Sequence, residues 1–383
     1  MYNFLSGSIN KIMRLIFITP MYRPSFYSGG KGGGEISNQI LLEALAKRGH
    51  SVIIVSMRCL LKKSVYRDGN LIVIEPFSYL PVNGFGSFIS MIFFRRSVLN
   101  LLKRIMPDVV LATTSTVAVA AQASKMHGVP MGAVVRAMEN MPNHGWKWSA
   151  FSPSGLIKYI SHKVTIGWPG ENEIEYADFF IANSEFLRDK YLKEFPGKKN
   201  CIVYPSLSIQ LVQSEFSKKI KSVMMVGVSE EKGFNIFCSL AGQFPELEFH
   251  AIGDRSLPAG TTRDSRGVSV HGWYADPVPF IDSVDLVLVP SVWEEPFGRI
   301  SLEAMFRKKY VLVSGRGGLP ETVTKIDELI VYSNAYEDWC DRIFDLVKNP
   351  EKYKSLTLKA LDRAQRFDSQ FQCQSLERLL EDR

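Results

Sequence analysis

Residues 289–304 read V-P-S-V-W-E-E-P-F-G-R-I-S-L-E-A, the stretch that most restricts what this chain can fold into. An apolar run ending at Val289 closes on Pro290, which cannot continue a central strand. A short polar turn follows, and Pro296-Phe297-Gly298 opens an amphipathic helix. The backbone N–H groups of Gly298, Arg299 and Ile300 are then the free donors of a helix N-terminus, where a phosphate is readily held. Glu295 precedes that helix start and Glu303 follows it. Carboxylates accept charge-assisted hydrogen bonds from sugar hydroxyls. A phosphate flanked by two such carboxylates is the outline of a nucleotide-sugar. Two surface glutamates on an ordinary strand–loop–helix would share the spacing, so it is the whole string that carries the reading.

Around this stretch, apolar runs alternate with helical patterns. Strands are expected near residues 15–19, 51–56, 109–113 and 131–135, then near 222–227, 247–252, 268–271, 285–289, 310–313 and 329–332. This alternation predicts an α/β fold with two parallel sheets. With 383 residues there is room for two domains. The polar stretch 206–220 divides them: residues 1–205 form one domain, residues 206–365 the second, and residues 366–383 a final helix. Residues 28–35, S-G-G-K-G-G-G-E, form a glycine-rich turn between the first strand and a helix. Their spacing is not that of a dinucleotide fingerprint, but their place after the first strand faces them toward a ligand. Gly253-Asp254 and Gly272-Trp273-Tyr274 fall at strand ends, where ligands of such sheets bind.

Charge is unevenly spread. Residues 1–205 carry 24 Lys and Arg against 13 Asp and Glu, whereas residues 206–383 carry 22 against 26. A basic first half suits an acidic partner, either phosphate or an anionic membrane. No nucleic-acid recognition module is recognisable. Residues 85–106 form a basic amphipathic helix, readable as a core helix with a basic outer face or as a helix lying on a membrane. Five scattered cysteines suggest neither a disulfide framework nor a zinc site. No uncharged apolar run reaches the ~20 residues needed to span a bilayer.

The string E-P-F-G-R-I-S-L-E-A-M, with P-S before it and G-G-L-P-E at 317–321, resembles the Glu-x7-Glu signature of the retaining family 4 glycosyltransferases. The resemblance implies the GT-B fold, two Rossmann-like parallel-sheet domains facing across a cleft, with the last helix crossing back to the first domain. It implies a nucleotide-sugar donor, a saccharide or lipid-linked acceptor, and neither metal nor cofactor. Catalytic roles fall on Glu295, at the transferred sugar, and on Lys232, at the donor pyrophosphate. Glu303 would hold the ribose hydroxyls, with further donor contacts from Phe297, Gly298, Arg299, Ile300, Gly227 and Gly253. Gly33, Gly34 and Glu35 would border the cleft near the donor phosphates and the acceptor. Synthesis of a cell-surface polysaccharide in the cytoplasm, at the inner membrane face, is the expected setting.

Two departures from the family pattern stand out. The arginine expected before Lys232 is replaced by Val228 and Ser229, with Arg299 a candidate substitute. The histidine expected after residues 131–135 is absent: the chain reads Arg136-Ala-Met-Glu139, and His144 lies further on among Trp146, Trp148 and Phe151. These departures keep two other readings open, a nucleotide-sugar epimerase and a non-catalytic nucleotide-sugar-binding partner protein.

Overall fold

The computed structural model describes residues 11–22, 33–57, 63–76, 85–138, 173–206, 215–274 and 276–381, with the side chains of 85–91 excluded. The glycines before Gly33, and the segment holding Glu139, His144, Trp146, Trp148 and Phe151, lie outside the described residues.

The first part contains β1 (Arg14–Thr19), α1 (Gly33–Lys47), β2 (Ser51–Ser56), β3 (Ser64–Asp68), β4 (Leu71–Glu75), α2 (Phe85–Ile105), β5 (Val109–Thr113), α3 (Val117–His127), β6 (Met131–Val135), β7 (Phe179–Ala182), α4 (Glu185–Glu194) and β8 (Lys199–Ile202). The second contains β9 (Ser222–Val226), α5 (Phe234–Gln243), β10 (Glu248–Asp254), β11 (Thr262–Ser265), β12 (Val268–Gly272), α6 (Val278–Ser283), β13 (Leu286–Val289), α7 (Arg299–Phe306), β14 (Tyr310–Ser314), α8 (Leu319–Thr322) and β15 (Ile330–Val331). Three helices close the chain: α9 (Tyr336–Lys348), α10 (Pro350–Arg363) and α11 (Ser369–Glu381).

The strands form two sheets, in the orders β3-β4-β2-β1-β5-β6-β7-β8 and β11-β12-β10-β9-β13-β14-β15. Pairing is parallel except at the edge hairpins β3–β4 and β11–β12. The central strands are continuous apolar runs because helices cover both faces, leaving no solvent side to pattern. In the first sheet, Ile16, Ile18, Val110 and Ala112 face a core shared with α2 and α3. Leu15, Phe17, Val52 and Ile54 face the opposite core, built with α1 and with Cys373, Leu376, Leu379 and Leu380 of α11. The last helix therefore packs on the first sheet. Buried Glu377 fixes it there, bonded by Arg48 Nε at 2.7 Å and facing His50 Nε2 at 2.9 Å.

The structure adds two points to the sequence reading and changes a third. The edge strands β3 and β11, S-V-Y-R-D and T-R-D-S, lack an apolar run, and pairing rather than pattern creates them. The pattern of residues 85–106 resolves toward a core helix, because Phe94, Val98 and Leu102 are buried against the α3 side while Arg96, Lys103 and Arg104 are exposed. Gly33, Gly34 and Glu35 form the first turn of α1 rather than a loop, with Ser37 Oγ donating to the Gly33 carbonyl at 2.8 Å.

Candidate active site

In the second sheet the strand order reverses between β9 and β13. The crevice beyond the carboxyl ends of strands at such a reversal is where open α/β sheets bind ligands. The chain leaving β9 carries Lys232, and the chain leaving β13 carries Glu295. The two loops interlock: a Cβ on Gly233 would stand 1.9 Å from the Pro290 carbonyl oxygen, and φ there is +81°. Only glycine allows that approach. Gly227 helps shape the turn by donating its N–H to the Ile252 carbonyl at 2.7 Å, with Gly253 alongside.

This geometry brings Lys232 Nζ to 2.8 and 2.7 Å from the two oxygens of Glu295. Trp293 Nε1 donates to the same carboxylate at 2.8 Å, and Ser291 Oγ at 3.3 Å. Lys232 Nζ also lies 5.2 Å from the Trp293 ring centre, within cation–π range. The carboxylate is thus held by three donors. The backbone oxygen of Glu295 accepts from Gly318 N–H at 2.7 Å, so the G-G-L-P-E segment buttresses the loop from behind.

Helix α7 starts beside this pair. Its N-cap, Gly298, has φ +96° and offers no side-chain cap, and a Cβ there would meet Leu319 Cδ2 at 2.3 Å. Among the described residues, no bonded acceptor takes the N–H groups of Gly298, Arg299 or Ile300, which leaves the helix end open to an anion. Four residues into the helix, Glu303 Oε1 accepts from Arg299 Nη2 at 2.9 Å. Burial pushes the Glu303 carboxyl above its usual range, with Arg299 pulling the other way.

Arg299 also reaches the first sheet's domain, donating through Nη1 to the Gly33 carbonyl at 3.0 Å and to Ser37 Oγ at 3.1 Å. A second seam lies near the linker. Buried Glu321 of α8 accepts from the N–H groups of Glu185 and Phe186, at 2.8 and 2.9 Å, at the first turn of α4. Lys325 pairs with Glu185 at 2.7 Å, and Lys190 with Glu294.

Lys232, Glu295, Gly298, Arg299 and Glu303 thus come together, with Gly33 and Gly34 across from Arg299. Phe297 must be corrected: its ring is buried between Tyr204 and Phe367, with centroids 5.6 and 5.5 Å away, so it anchors the loop and does not face the cleft. Ile300 likewise packs its side chain on the core, leaving only its backbone for a ligand. Trp293 and Ser291 were not singled out from sequence, although both lie within four residues of Glu295. Arg136, noticed there only as a departure, is buried at the carboxyl end of β6.

Two family models match the chain, Glycosyltransferase Family 4 over residues 31–210 and Glycosyl transferases group 1 over residues 220–349. A 42.6 kDa protein of the cps region of Klebsiella pneumoniae is 25% identical over 337 residues, 81% of this chain and 87% of that protein. Among solved structures, Anabaena Alr3699/HepE in complex with UDP and glucose superposes with TM-score 0.65 at 18% identity, covering 97% of this chain and all (100%) of that one. Sucrose-phosphate synthase from Thermosynechococcus elongatus superposes with TM-score 0.71 at 16% identity, covering 96% and 98%. Fold and family models agree: the chain belongs to the group 1, family 4 glycosyltransferases of GT-B architecture.

Proposed function

We propose that this glycosyltransferase moves a sugar from a nucleotide-sugar to a saccharide or lipid-linked acceptor, with retention at the anomeric carbon, in the synthesis of a cell-surface polysaccharide. One observation carries the reading: Lys232 and Glu295, 63 residues apart, meet at the sheet's switch point before the uncapped start of α7. The relative from a cps region supports the polysaccharide setting. In this reading the bond from the anomeric carbon to the diphosphate breaks as the acceptor hydroxyl oxygen bonds to that carbon. The hydroxyl proton passes to the departing phosphate oxygen. Lys232 and the N–H groups of α7 stabilise the charge developing on the leaving group. Glu295 orients the transferred sugar and Glu303 the ribose. Positive charge from Lys232, Arg299 and the helix end serves in place of a metal ion. The basic outer face of α2, with Arg96, Lys103 and Arg104, is suited to rest against an anionic membrane that presents the acceptor.

A thermal-shift screen against UDP-, GDP- and ADP-sugars tests the donor half, since a ligand that binds the native state raises Tm by mass action. One donor class should raise Tm, and Glu303→Ala should abolish both the shift and transfer while the protein stays folded. A Glu303→Ala protein that transfers sugar at the wild-type rate would overturn the assignment.

A further inference from the structure

We propose that Arg136 and Arg299 form an oxyanion site against the first turn of α1, taking a phosphate or carboxylate group of a bound substrate. It rests on the transferase reading only for which molecule carries that group.

Arg136 is the first residue after β6, and its side chain is almost wholly buried, 8% exposed. Its Nε donates to Asn38 Oδ1 at 2.9 Å and its Nη1 to the Val203 carbonyl at 3.0 Å. Its Nη2 is buried with no acceptor. Arg299 repeats the arrangement: Nη1 and Nη2 are engaged by Gly33, Ser37 and Glu303, and its Nε is buried without an acceptor. The two side chains lean on consecutive glycines. A Cβ on Gly33 would sit 3.6 Å from Arg299 Cδ, and one on Gly34 would sit 3.7 Å from Arg136 Cβ.

Among the described residues, Glu303 is the one carboxylate bonded to either guanidinium. Two cations and one anion leave a net positive charge around the buried Arg136. Burial, with Arg299 nearby, lowers the Arg136 pKa to about 10. The plain alternative is a strut tying α1 to the segment after β8. A strut needs only Nε and Nη1, and it gains nothing from a charge held out of water beside a like charge. An incoming oxyanion that reaches either orphaned donor would accept a charge-assisted hydrogen bond from it.

The test compares wild type with Arg136→Gln and Arg136→Lys. At constant ionic strength, replacing chloride by inorganic phosphate or pyrophosphate should raise the wild-type Tm. The rise should be clearly smaller in Arg136→Gln and intermediate in Arg136→Lys, with what remains in Arg136→Gln owed to Lys232 and the start of α7; equal rises in all three would overturn the site. This arm uses no nucleotide, so it stands even if the donor reading fails. If Arg136→Gln does not fold, Arg136→Lys against wild type decides. Affinities then identify the source. A loss of roughly 10- to 100-fold for the nucleoside diphosphate but not the monophosphate puts the donor's distal phosphate there. The same loss confined to a uronate-bearing donor or a phosphorylated acceptor puts that group there. A loss shared equally by charged and neutral ligands marks a strut and refutes the proposal.

Discussion

Glu321→Ala should loosen the seam between the two sheets without unfolding either. Glu321 is 3% exposed and its two oxygens accept separate N–H groups of α4. Each bond to a charged acceptor is worth ~1.5–3 kcal/mol. The carboxylate also favours the positive end of the α4 dipole. Against this stands the cost of burying the charge, visible in a carboxyl pushed above its usual range by burial despite both N–H bonds. What truncation costs is then the stranding of the two N–H groups, about 1–3 kcal/mol, which shifts a two-state domain equilibrium by roughly 5- to 150-fold. Ser184 still caps α4 through Leu187 N–H, so the helix itself should survive. Small-angle scattering should show a larger radius of gyration, and the donor KM should rise while the circular dichroism spectrum stays unchanged. An unchanged radius together with an unchanged KM would refute the idea that this carboxylate sets the domain orientation.

Three further outcomes follow from packing and charge. Gly233→Ala places a methyl 1.9 Å from the Pro290 oxygen at a positive φ, which should cost about 3 kcal/mol in urea unfolding and displace Lys232 from Glu295. Glu377→Ala leaves Arg48 and His50 without their shared partner and should cost ~3 kcal/mol, with α11 exchanging its amide hydrogens faster. The pH dependence follows from the raised Glu321 pKa. Its contribution to folding is fully present below the unfolded value and is lost as pH rises through the folded value, so unfolding free energy should decline upward from about pH 4.5, and Glu321→Gln should flatten that slope.

What could be read from sequence divides along physical lines. Buried parallel strands are legible because both their faces are apolar, and β2, β5 and β6 match their expected limits of 51–56, 109–113 and 131–135. The loop from Pro290 to Gly298 is legible because proline and glycine mark its backbone. Edge hairpins are not, since T-R-D-S owes its strand to a neighbour and not to its own residues. Partners distant in sequence are invisible for the same reason. Glu321 caps a helix 136 residues away, and Arg136 gains its meaning from Arg299. The rings of Phe297 and Tyr204 show the converse: a residue inside a ligand-binding string can serve the core.

The Lys232–Glu295 pair gives the last prediction, and its sign separates two views of the site. If the pair is a structural clamp, weakening it should harm every function of the loop. If Lys232 serves a phosphate, Glu295 competes with the donor for the same ammonium. The pair is half open, with Lys232 34% exposed and Glu295 12%, so it is worth only about 1 kcal/mol. Glu295→Gln keeps the bond from Trp293 to the side-chain oxygen but removes the negative charge. Lys232 is then released to the diphosphate. Isothermal titration should show nucleoside diphosphate binding about fivefold tighter in Glu295→Gln, while sugar transfer is lost because no carboxylate orients the sugar. Weaker nucleoside diphosphate binding in this variant would favour the clamp. Tighter binding with transfer abolished would place binding and orientation on different members of one ion pair, so that a donor taking Lys232 is also what frees Glu295 for the sugar.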